Sequence, residues 1–372
     1  MDFTIEEFRT RIEKTQALMA KNNLPVLLVH APESITYLSG FRMLGFFMYQ
    51  ALIVPASGDP VLVVRDVEQP TADITSWVKE RSVYIDIEDP INATQRALKK
   101  MGLDGATIGV EYSTWFLTLD RYETLKRLLP NAKFVREPNI VRELRLIKSP
   151  AEVEYLRRAS RIAEKMVDAA FKASKVGASE RDIASAITVA QIQSGGDGHL
   201  EPILMTGPRT RELHGTWTDR ILEQGDSVYM ELNGVVKGYW SKILRTGVLG
   251  KPSDHVRKAS EVILAALNDG ISRMRTGAHA GEIDDALRQP VLKAGLRKSY
   301  YHRVGYTMGQ LYPPSSGEYL REMMSGDTWT LEAGQVFHML VIGGGVGFSE
   351  TVLVTDNGPD ILTRYPRQLI EL

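Results

Sequence analysis

The chain has 372 residues, 43% hydrophobic and 24% charged, an ordinary composition for a soluble globular protein with room for two domains. Lys+Arg 45 against Asp+Glu 46 leaves no electrostatic footprint for nucleic acid or an anionic membrane. The absence of cysteine excludes disulfides, thiolate metal sites and a Cys nucleophile, and no apolar run is long enough to predict a membrane span. The stretch MDFTIEEFRTRIEKTQ is charged and has no apolar segment of signal-peptide type, so a cytoplasmic protein is expected.

In chain order, a helix over IEEFRTRIEKTQALMAKN is followed by strands at PVLLVH, ALIVP and PVLVVR. The helix INATQRALKKM, the strand ATIGVE and the helix LDRYETLKRLL come next. Short β-rich runs alternating with amphipathic helices predict a mixed or parallel sheet covered by helices. VREPNI then reads as a hinge before a long helix. Ser149 is its expected N-cap, Pro150 stands at the first helical position and Glu152 in the first turn. The domain boundary is placed there, giving 1–148 and 149–372.

The second part contains an internal echo. GASERDIASAI from Gly177 is matched by GAHAGEIDDAL from Gly277, each ending one helix at a Gly and opening another. GDSVYMELNGVV is echoed by AGQVFHMLVIGG, and each leads to a second strand, SKILRTGVLG and FSETVLVT. A spacing of about 100 residues is too long for a solenoid repeat. It suits two αββ-type halves around a pseudo-twofold axis, with a shared site between them.

The run from Arg145 through KSPAEVEYLRRA, the duplicated halves, the HRVG turn and the closing FSETVLVT together resemble the pita-bread (peptidase M24) family. That family includes methionine aminopeptidase, prolidase, aminopeptidase P and creatinase, and the resemblance covers essentially the whole chain. It implies an α/β (α+β) protein: an N-terminal creatinase/prolidase-type α/β domain followed by a C-terminal pita-bread domain with pseudo-twofold duplicated halves.

Metal-dependent members hold two divalent ions with Asp, Asp, His, Glu and Glu. The resemblance carries these to Glu231, Lys242, His302, Leu340 and Glu350, so a lysine and a leucine stand among the ligands. An ammonium ~4 Å from a divalent cation is repelled by roughly 8 kcal/mol at an effective dielectric of 20. Leucine offers no donor. No cofactor is therefore expected. A single ion on Glu231, His302 and Glu350 is the alternative, if Lys242 swings away. In isolation a hairpin lysine is most often a solvated side chain. Here an ion pair of Lys242 with Glu231 or Glu350 is expected, because a partly buried charge requires a partner.

A metal polarises a neutral carbonyl; an amidinium or guanidinium carbon is already cationic and needs carboxylates and a base instead. The chain resembles the metal-independent branch: creatinase at the histidine of GPRTRELHGTW, and ectoine hydrolase at GFFMYQALIVPASGDPVLVVR, VGYTMGQLYPPSSGE, LEAGQVFHML and FSETVLVTDNG. The resemblance implies that His214 is the acid/base, a role for which histidine is the commonest side chain, with Glu231, Glu350 and His302 beside it. Glu318, Tyr306, Tyr312 and Lys242 are expected to contact substrate. So are Phe46, Tyr49 and Arg65, from an N-terminal domain that in this branch closes a homodimer partner's site. The bland readings are a turn-stabilising His302, a helix-capping Glu318 and core tyrosines. Met48, Leu244, the short VIGGGVG segment and Ser316 depart from the branch's pattern, and GGGVG reads only as a tight turn.

The leading expectation is a hydrolase of a non-peptide C–N bond in a small zwitterionic amidine or guanidine. The alternatives are an Xaa-Pro dipeptidase-like metallopeptidase with an altered site and a non-catalytic pita-bread binding protein.

Overall fold

The computed structural model describes residues 2–198, 201–212 and 214–372. It divides into two compact units, Met1–Arg145 and Leu146–Leu372.

The first unit opens with α1 (Ile5–Lys21), whose N-cap Thr4 Oγ1 accepts from the Glu7 N–H at 3.2 Å. The strands are β1 (Val26–Val29), β2 (Ala51–Pro55), β3 (Val61–Arg65), β4 (Arg81–Tyr84), β5 (Thr107–Val110) and β6 (Lys133–Arg136). Their helices are α2 (Pro32–Ser39), α3 (Gln69–Thr75), α4 (Ile91–Lys100), α5 (Leu119–Leu128) and α6 (Ile140–Leu146). The six-stranded sheet runs β4-β3-β2-β1-β5-β6, with antiparallel pairs only at β1–β2 and β2–β3. Leu27, Val29 and Leu52 meet Phe8 and Ile12 of α1 on one face. Val26, Leu28 and Ile53 meet Leu98 and Leu125 on the other. Burial on both faces is why the central strands read as unbroken apolar runs rather than alternating ones.

The second unit starts at α7 (Pro150–Ala173), with the expected capping box between Ser149 and Glu152. Next come α8 (Glu180–Gln193), β7 (Ile203–Thr206), β8 (Ser227–Val236) and β9 (Tyr239–Val248). The second half repeats the plan with α9 (Asp254–Ser272), α10 (Ala280–Lys293), β10 (Gly305–Thr307), β11 (Glu322–Met323), β12 (Val336–Gly343) and β13 (Val346–Thr355), then β14 (Gly358–Ile361) and β15 (Ile370–Glu371). Gly177 and Gly277 both adopt the left-handed conformation between paired helices, φ 87 and 81, which glycine tolerates without strain. The main sheet path is β11-β10-β12-β13-β9-β8-β7, so the two hairpins meet at β13–β9.

Alternation assigns the faces of this sheet. Val228, Met230, Leu232 and Ile243 are buried against Ala163 and Ile183 of α7 and α8. Phe348, Val352 and Val354 are buried against α9 and α10. Tyr229, Glu231, Lys242, Ser349 and Thr351 therefore belong to the face turned away from the helices. Glu350 belongs to the helix side.

The helix–sheet contact is tightest at Gly234, where a Cβ would lie 1.9 Å from Ala159 O and 2.8 Å from Ala163 N. Both atoms are helix backbone and cannot rotate away. Gly234→Ala is expected to cost about 3 kcal/mol, near the upper end of overpacking penalties. A urea midpoint falling at unchanged slope would show it.

Candidate functional site

Five strands each supply one polar side chain to a hydrogen-bonded cluster on the non-helix face. Lys242 Nζ of β9 donates to Glu231 Oε1 of β8 at 3.2 Å and to Tyr306 Oη of β10 at 3.0 Å. Tyr306 Oη lies 2.9 Å from His338 Nδ1 of β12, and His338 Nε2 lies 2.7 Å from Ser349 Oγ of β13. Strand register makes these contacts: Asn233 pairs with Lys242, Tyr306 with His338, and Leu340 with Ser349. Glu231, Lys242 and Tyr306 keep 6%, 4% and 6% exposure, whereas His338 and Ser349 have 0%. Only the first three keep any exposed surface.

Burial pushes the Glu231 carboxyl up, but the Lys242 ammonium outweighs it and the net is a carboxyl below its usual range. Burial works against the Lys242 ammonium too, yet Tyr306 and Glu231 hold it above its ordinary value. The Tyr306 phenol is pushed up by burial, and the same cause drives His338 down to about 3. Near neutral pH the cluster is carboxylate, ammonium, phenol and neutral imidazole, with no net charge.

Other expected site residues lie elsewhere. Glu350, placed in the site by its motif, is bonded to Arg245 Nη2 at 2.7 Å and Arg367 Nε at 2.9 Å, and receives the Thr363 hydroxyl. Ser349, one residue earlier, faces the cluster in its stead. His302 is likewise outside the cluster and Tyr306 stands within it. The His302 ring lies 4.5 Å from that of Tyr300. Burial, followed by the charges of Arg297 and Arg288, lowers it to about 4. His214 is exposed in the loop before β8 and within electrostatic reach of both Glu231 and His302.

Glu318 is buried in an ion pair with Lys148 Nζ at 2.8 Å. Gly309 makes room for it, since a Cβ there would lie 2.5 Å from Glu318 Oε1. Tyr312 is buried. In the first unit, Tyr49 is core at 1% exposure, its hydroxyl 2.7 Å from Thr94 Oγ1, and so is closed to any ligand. Arg65 pairs with Asp86 at the surface. Phe46 sits edge-on to Phe47 and Phe116, each at 6.0 Å, in an aromatic cluster whose Phe47 is exposed.

The description "Metallopeptidase family M24" matches residues 154–356, more than half of the chain. The protein belongs to that family. The creatinase/prolidase N-terminal domain matches residues 11–147, and the C-terminal unit is the pita-bread fold. Ectoine hydrolase of Halomonas elongata is 28% identical over 99% of this chain and 98% of that protein. Xaa-Pro dipeptidase of Pyrococcus furiosus is 26% identical over 97% and 100%. Among solved structures, prolidase from Pyrococcus horikoshii OT3 superposes with a TM-score of 0.83 at 25% identity, covering 97% and 100%.

The metal implied by the family name does not fit the residues present. An ammonium lies at the centre of the cluster, hydrogen-bonded to the one carboxylate. Leu340 has no donor, and Ser349 is engaged by His338. Among the described residues no group of three or more His, Asp and Glu could hold a metal ion. Glu231, His302 and Glu350, the set for a single ion, are divided between a cationic surrounding and the opposite sheet face.

A cleft of about 1090 Å³ lies away from the cluster, and His255 and Val256 of α9 are part of its wall. It is lined by Ser227, Ile342, Gly343–Gly345 and the cations Arg211, Arg297 and Lys298. Ser227 precedes Glu231 by four residues on β8, or about 13 Å of strand. Among the described residues no helix is long and apolar enough to cross a membrane.

Proposed function

We propose that the protein is a metal-independent hydrolase of a non-peptide C–N bond in a small zwitterionic amidine or guanidine, ectoine hydrolase-like or creatinase-like. The observation that carries the reading is the buried Lys242–Glu231 pair at 3.2 Å. A site with adjacent opposite charges and no net charge matches a substrate whose carboxylate and amidinium are neighbours, and it opposes a free metal ion. Glu231 accepts from the amidinium N–H groups. Lys242 has three N–H donors; two are spent on Glu231 and Tyr306, and the third meets the substrate carboxylate. His214 takes the proton of the attacking water. Substrate of this kind is named by one relative, ectoine hydrolase, whose similarity spans the chain. The aromatic cluster around Phe46 is where a second copy would add to the site of a homodimer.

Thermal shifts on chelator-stripped protein test the reading. Ectoine, creatine, Xaa-Pro dipeptides and divalent metals are the ligands. A ligand at 100 times its Kd stabilises by about 2.7 kcal/mol, and a shift with an amidine but not with metal is expected. A shift with metal that a dipeptide deepens would replace this reading with the metallopeptidase one.

A further inference from the structure

We infer that Tyr306 is the proton donor to the leaving nitrogen, held in that role by Lys242 on one side and the His338–Ser349 pair on the other. The inference rests on the hydrolase reading above. Lys242 has only donors, so at 3.0 Å the Tyr306 oxygen must accept from it. What the Tyr306 O–H does then depends on His338, which has one N–H and one lone pair when neutral.

In one tautomer Tyr306 donates to Nδ1 across 2.9 Å, and Nε2–H donates to Ser349 across 2.7 Å. The phenol proton is then parked. In the other, Ser349 donates to Nε2 and Nδ1–H donates to Tyr306. The phenol oxygen now accepts two hydrogen bonds and its own O–H is released towards the face where a ligand lies. A serine hydroxyl can donate or accept, so it serves both arrangements without moving. Of the three, only Tyr306 retains exposed surface. It is the catalytic residue; His338 and Ser349 position it.

The step balances. The water oxygen bonds to the amidine carbon and its proton passes to His214. The C–N bond breaks with its electron pair going to nitrogen, which takes the Tyr306 proton. The resulting phenolate faces N–H donors from Lys242 and His338, placed where that charge develops. His214 gives its proton to solvent, and Tyr306 regains one as product leaves.

Steady-state kinetics on ectoine, or on creatine where that is the compound hydrolysed, test it. Tyr306→Phe is expected to lower kcat by about 10²–10⁴-fold, the usual worth of general acid catalysis, with KM within about 3-fold. Ser349→Ala, which leaves the phenol in place, should lower kcat about 10-fold and move the alkaline limb of its pH profile, while Ser349→Thr restores both. A folded Tyr306→Phe variant with wild-type kcat overturns the inference and leaves the hydrolase reading standing. So does a Ser349→Ala variant with unchanged kcat and pH profile. Wild-type protein that hydrolyses no amidine or guanidine overturns both.

Discussion

Replacing Glu350 by glutamine is expected to lower the unfolding free energy by about 3–5 kcal/mol, the cost of breaking a buried ion pair by removing one partner, and to leave ligand affinity unchanged. Glu350 is 1% exposed and lies between two guanidiniums. Arg245, fully buried, also donates to the carbonyls of Ser349 at 2.8 Å, Tyr365 at 2.7 Å and Pro366 at 3.0 Å. The carboxylate therefore fastens the segment around Thr363–Arg367 to β9 and β13. Glutamine would retain some hydrogen bonds, but it would leave the buried Arg245 charge uncompensated. Urea unfolding with and without ectoine separates the two effects. A lost ligand shift at unchanged stability would mean that Glu350 serves the site rather than the scaffold.

How the sequence misplaces Glu350 shows where its legibility ends. The start of α7 is readable because a Ser-Pro-x-Glu cap is local chemistry, and Gly177 and Gly277 announce their turns by themselves. The hairpins are readable because each is a pair of β-rich runs joined by a glycine-bearing turn, and β8, β9 and β13 each run for ten residues. By contrast β4 (RSVY) and β6 (KFVR) are short, polar edge strands with no such pattern.

Within the candidate cluster, the pairing of Glu231 with Lys242 is legible because both lie on a single hairpin, whose register brings them together. Tyr306 lies on β10, which a long connection separates from β12, and His338 and Ser349 lie on a second hairpin, β12–β13, whose facing is what the sequence leaves open. There a shift of one residue moves a side chain to the other face of the sheet. Ser349 and Glu350 differ by that single step, and FSE gives no local sign of which one faces the site. His338 is two residues before Leu340, on the same face as the position the motif marked. Alternation along FHML could have found it.

Lys242→Met is expected to abolish most activity, by about 10²–10³-fold for loss of a preorganised charge, and to change the sign of one contribution to acid stability. In the native chain the Lys242 ammonium holds the Glu231 carboxyl below its usual range despite burial. That pair contributes stability above the unfolded carboxyl value of about 4.3, and the contribution is lost as pH falls through the lower folded value. Methionine removes the charge but keeps most of the volume. Burial, which pushes the carboxyl up, then acts without its main opponent, leaving only His338 and His214 to lower it. A raised folded value contributes stability that is fully present below the unfolded value and is lost as pH rises through the folded one. The variant should accordingly be several kcal/mol less stable than wild type near pH 7.5, and the gap should narrow as pH is lowered towards 5. Urea midpoints at pH 7.5, 6 and 5 measure this directly. Parallel curves would mean that another cation compensates Glu231, in which case the neutral, dipolar character of the site could not be assigned to Lys242.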